Sequence, residues 1–68
     1  MVKELLARCI EGKTLTERQA EEVMDLIMTG EATPSQIASL VSVMRLRGET
    51  VDELVGFTKS MKKHMSPL

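Results

Sequence analysis

The chain has 68 residues, 43% of them hydrophobic and 28% charged, with a net charge of −1, one cysteine, one histidine and one aromatic residue, Phe57. That balance leaves no basic footprint for nucleic acid, no apolar run nears the ~20 residues of a membrane span, and a lone Cys9 excludes an internal disulfide. A core this small supplies only about 3–5 kcal/mol, and the Cys/His spacing of a structural zinc site is absent, so support from a second chain or a second domain is expected.

The opening Met1-Val2-Lys3-Glu4 lacks a signal-peptide pattern, and a cytoplasmic, reducing setting is expected. Val2, Leu5, Leu6, Cys9 and Ile10 recur with helical spacing and fall on one face of a first helix. Gly12 is placed to end it, because glycine accepts the left-handed conformation common just beyond a helix terminus.

Thr16-Glu17-Arg18-Gln19 is a capping box: the Thr hydroxyl accepts from the backbone N–H three residues on, and the Gln side chain reaches back to the Thr N–H. A second helix follows, with Ala20, Val23, Met24, Ile27 and Met28 on its apolar face and Gly30 at its end. Thr33-Pro34-Ser35-Gln36 repeats the device, with proline at the first helical position, where a missing N–H costs nothing. The third helix runs to Gly48 with Ile37, Leu40, Val41 and Met44 in one stripe. Thr50-Val51-Asp52-Glu53 opens a fourth, whose spacing puts Val51, Leu54, Phe57, Thr58, Met61 and Met65 inward. Lys59, Lys62, Lys63 and His64 gather in its last turns, where positive charge suits the helix dipole, and Ser66-Pro67 terminates it. The threonines at 16, 33 and 50 are evenly spaced, which reflects similar helix lengths, since the intervening side chains do not repeat.

Short connections force successive helices to fold back on one another. The expected fold is all-α: a compact four-helix bundle-like domain over residues 1–65.

The third helix carries no charge from Pro34 through Met44. Such a helix is usually covered on more than one side. Either it sits centrally in the bundle, or its second face, with Ser39, Ser42, Val43 and Leu46, meets another subunit or domain. These four are the candidate interface residues, the small serines permitting close approach.

Little in the chain points to chemistry of its own. Cys9 sits within the stripe of the first helix, where a buried thiol behaves as a small hydrophobe. His64 has no carboxylate close in sequence, and a solvated place at the end of its helix is expected. Glu17, Glu21, Glu22 and Asp25 spread over what the pattern makes the outer face of the second helix, near its positive N-terminus. The methionines at 24, 28, 44, 61 and 65 fall on core stripes. The four isolated glycines form no phosphate-binding loop. No catalytic, cofactor-binding or metal-binding residue is therefore assigned. A helix-turn-helix is argued against by the missing basic face on the third helix, and neither a nucleic-acid nor a membrane partner is expected.

The run Leu15-Thr16 to Glu22, then Met24-Asp25-Leu26-Ile27-Met28-Thr29-Gly30-Glu31-Ala32-Thr33-Pro34-Ser35-Gln36-Ile37-Ala38, resembles the N-terminal helical domain of the anthranilate phosphoribosyltransferases. Lys3-Glu4-Leu5-Leu6 and Met44-Arg45-Leu46-Arg47-Gly48-Glu49-Thr50-Val51-Asp52-Glu53-Leu54 are similar to the same family. The resemblance implies a two-domain parent that transfers a phosphoribosyl group from phosphoribosyl pyrophosphate to anthranilate, with magnesium, in tryptophan synthesis. It places the glycine loop and the metal-binding acids in a catalytic α/β domain absent from this chain, so no cofactor is expected here. It implies a homodimer, with residues 66–68 starting the interdomain hinge. The related helical domain of pyrimidine nucleoside phosphorylases is the alternative within the superfamily, and a free-standing interaction module the alternative outside it.

Overall fold

The structure, a computed structural model, describes residues 2–65; the expected start of a hinge at 66–68, with the Ser66-Pro67 stop, lies outside the described residues. Four helices follow one another: α1 (Val2–Ile10), α2 (Glu17–Met28), α3 (Pro34–Arg47) and α4 (Val51–Met65). No strand occurs among the described residues. The all-α bundle expected from the periodicity is the fold observed.

The helix borders are set by local hydrogen bonds. Thr16 and Gln19 exchange bonds of 3.1 and 3.0 Å, and Thr33 and Gln36 bonds of 3.1 and 2.9 Å. Thr50 and Glu53 do the same at 3.1 and 2.9 Å. Each reciprocal pair satisfies donors that a helix start leaves without partners. At the other end of α2 the Glu31 N–H reaches the Leu26 carbonyl at 2.8 Å, and Gly30 has φ +80°. That is the left-handed closure glycine allows without a Cβ penalty.

α2 and α4 pack along their lengths, while α1 leans on α3 and, more lightly, on α2. Leu6, Cys9, Leu15, Ala20, Val23, Leu40, Met44 and Phe57 form the core, with Leu5, Met24, Leu26, Ile27 and Val43 packed around it. Every helix contributes, and the α1–α2 connection adds Leu15. The shortest dimension is 19 Å, about two helices thick, so no helix is surrounded on all sides.

Three expectations are corrected. Helix α3 is not central: it buries Leu40 and Met44 but leaves Val41, Ser39 and Ser42 open. The central place falls to α2, where every residue from Gln19 to Ile27 is at least half-buried, although Met28 at its end is exposed. On α1, Ile10 lies outside the core, 66% exposed.

The third correction concerns the inner face of α4. Only Phe57 of the expected stripe is buried; the buried residues are Glu53, Gly56, Phe57 and Ser60, while Val51, Leu54, Thr58, Met61 and Met65 are exposed. The shift from Leu54 and Met61 to Glu53 and Ser60 is a turn of one residue, about 100° about the helix axis. The cause is close packing. A Cβ on Gly56 would come within 2.8 Å of the Ala20 Cβ and 2.9 Å of the Glu21 backbone nitrogen. A small-residue seam lets α4 lie against the α2 backbone, and this contact prevails over the burial of the apolar stripe.

Candidate functional site

Two polar residues are fully buried, Glu53 and Ser60, and of these Glu53 carries the charge. One oxygen, Oε2, accepts the Leu15 backbone N–H at 2.7 Å and the Arg47 Nη2 at 2.8 Å, and Oε1 accepts the Thr50 N–H at 2.9 Å. Burial by itself drives this carboxyl upward, but the bonds from Leu15, Arg47 and Thr50 outweigh it and hold the group below its ordinary range. Arg47 also donates to the Gly48 carbonyl at 2.9 Å. Its Nε is buried with no partner among the described residues. The sequence marks Glu53 as the last residue of a capping box; that the same carboxylate ties the α1–α2 connection to the end of α3 was not legible. The one signal is that this box ends in Glu where the other two end in Gln.

Along the α2–α4 seam, charged residues flank the small ones. Lys59 pairs with Glu17, and Lys63 with Glu21 at 3.4 Å and with Asp25 at 3.0 Å. Asp25 additionally accepts from the Ser60 hydroxyl at 2.6 Å and contacts His64 Nε2 at 3.0 Å. The Ser60 bond first, and then Lys63, hold the Asp25 carboxyl down to about 2. Glu17, Glu21 and Asp25 therefore face α4 rather than forming an outer side, and His64 does meet a carboxylate. The close approach of α2 and α4 recruits all four residues into one interhelical contact.

No group of three or more His, Cys, Asp or Glu able to hold a metal ion occurs among the described residues. The Asp25 oxygens already serve Ser60, Lys63 and His64. That carboxylate is thus already engaged by the chain's own side chains. Cys9 is 2% exposed, and burial pushes its thiol above the ordinary value despite the Arg47 charge nearby. A buried, protonated thiol is a poor nucleophile. None of the described helices is long and apolar enough to cross a membrane.

What the surface does present is apolar. Val43 and Leu46 line an open groove of about 420 Å³ together with Cys9, Ile10, Gly12 and Arg47. Of the four candidate interface residues, Leu46 is 90% exposed, Val43 is half-buried against the core, and Ser39 and Ser42 are exposed but lie outside this groove. A second apolar face, which the sequence pattern placed in the core, runs down α4.

Four firmly capped helices around one small core define a helical bundle domain. The chain belongs to the glycosyl transferase family, as its helical bundle domain, whose family model matches residues 3–65. It is similar to the anthranilate phosphoribosyltransferase of Bacillus caldotenax, 60% identical over 68 residues, covering 100% of this chain and 28% of that protein. The enzyme of the same name from Geobacillus kaustophilus is 60% identical over 68 residues, 100% of this chain and 20% of the relative. That of Halalkalibacterium halodurans is 62% identical over 64 residues, 94% and 19% of the two chains. The chain thus spans well under a third of the length of these relatives. No solved structure matches it.

Proposed function

We propose that the chain is the helical domain of an anthranilate phosphoribosyltransferase, a scaffold and dimerisation element with no catalytic residue of its own. The carrying observation is identity of 60% over the whole chain to enzymes of that name. In this reading the parent transfers phosphoribosyl from phosphoribosyl pyrophosphate to anthranilate in the cytoplasm, and magnesium and the reacting groups belong to a separate α/β domain. The groove lined by Ile10, Val43 and Leu46 meets a second copy. Support for that surface is energetic: an exposed Leu side chain gains roughly 1.5–3 kcal/mol if fully covered, and two-fold symmetry would double the gain.

The test is a chimera in which this chain replaces the matching segment of the Geobacillus kaustophilus enzyme. The expected results are conversion of anthranilate by the chimera, none by the isolated chain, a dimeric chimera in sedimentation, and a monomer on Leu46→Asp. A folded but inactive chimera, or product formed by the isolated chain, overturns the assignment. A dimer unaffected by Leu46→Asp overturns the interface.

A further inference from the structure

The four helices divide into two pairs held by unlike forces. α2 and α4 approach so closely that the Gly56 position has no room for a Cβ. Ser60 bonds Asp25 across that contact, and Lys59 and Lys63 pair with Glu17, Glu21 and Asp25. α1 packs on α3 and only lightly on α2. The boundary between α3 and the α2–α4 pair is made by longer side chains. Leu40 and Met44 of α3 share the core with Phe57, with Met24 packed against it, and together with Val41 these residues border a pocket of about 180 Å³. Atoms facing a void lose the dispersion contacts that close packing supplies. Among the described residues, the side-chain bond crossing from α1 or α3 to α2 or α4 is Arg47 to Glu53 at 2.8 Å, at the very end of α3.

We infer that α1 and α3 open away from the α2–α4 pair as one cooperative unit, hinged where Arg47 meets Glu53. A local opening is governed by the contacts it gives up, so the weaker boundary parts first. Opening this one releases apolar contacts beside a pocket and the light packing of α1 on α2. Parting α2 from α4 releases in addition the Ser60–Asp25 bond and the ion pairs of the seam. The unit carries its own surface with it. The groove of Ile10, Val43 and Leu46 is built from α1, α3 and the residue Gly12 just beyond α1, and takes nothing from α2 or α4. A partner seated in that groove therefore grips the moving pair. The inference is independent of the reaction that a parent enzyme performs.

The test is amide hydrogen exchange of the folded 68-residue chain, followed residue by residue by NMR at rising, sub-denaturing urea. Helices of 9 and 14 residues are marginal alone in water, so the amides of α1 and α3 exchange once the pair has separated. The central amides of α1 and α3 should share one opening and exchange roughly tenfold or more faster than those of α2 and α4. Their exchange should also depend less on urea, because the partial opening exposes less surface. Lys59→Gln removes an exposed ion pair that only the parting of α2 from α4 breaks. It should speed exchange in α2 and α4 by roughly two- to fivefold and leave α1 and α3 unchanged. Equal rates in all four helices, or a Lys59→Gln effect shared by all four, overturn the proposal, because the domain then opens as a whole. Fast exchange confined to α1, with α3 as protected as α2, also overturns it, because the first helix then frays by itself.

Discussion

The Glu53 carboxylate accepts the backbone N–H of Leu15 at 2.7 Å across 38 residues of sequence, joining the start of α4 to the connection between α1 and α2. Leu15 is itself buried in the core. One side chain thereby caps a helix, fixes a loop and neutralises Arg47. A buried, fully bonded carboxylate is costly to disturb, because its partners are left unsatisfied when it goes.

Glu53→Gln retains the shape but removes the charge facing Arg47. Breaking a buried pair from one side costs about 3–5 kcal/mol, comparable with all that a core this small provides. The variant domain should be largely unfolded at 25 °C by circular dichroism. Gln19→Ala, at the equivalent position of the exposed Thr16 box, should cost only about 1 kcal/mol. Equal losses at the two positions would show that Glu53 acts as a helix cap alone.

Gly56→Ala should destabilise, although alanine is the better helix former by about 1 kcal/mol. The added methyl meets the Ala20 Cβ at 2.8 Å and the Glu21 nitrogen at 2.9 Å, and overpacking of this kind costs about 1–3 kcal/mol. Urea denaturation gives the sign. A midpoint higher than that of the parent chain would mean that α2 and α4 are further apart than the structure places them.

Asp25 gives the seam a defined dependence on acid. Its carboxyl is held at about 2, against 3.8 for the ordinary group. A depressed native value stabilises the fold above the unfolded pKa, and the contribution is lost as pH falls from about 4 to about 2. Ser60→Ala removes the largest cause of the depression, so the variant should be less stable than the parent at pH 6. The difference in urea midpoint should shrink as pH approaches 2, where the charged form of Asp25 is being lost in both proteins. A difference independent of pH would assign the cost of Ser60→Ala to lost packing.

The helices and their borders were legible before any packing was known, because they depend on bonds between residues three or four apart. Thr16 with Gln19, Thr33 with Gln36 and Thr50 with Glu53 cap where the pattern says they should, and Gly12, Gly30 and Gly48 all take positive φ just beyond their helices. Family membership was equally legible, since it resides in residue identity. The direction in which α4 faces was not. Hydrophobic periodicity ranks helix faces by the apolar surface they can bury, whereas Gly56 and Ser60 gain their advantage from how closely two backbones approach and from a hydroxyl bonded to Asp25. Those gains exist only once α2 lies alongside, and they turn most of an apparent core stripe, Leu54, Met61 and Met65 but not Phe57, into surface.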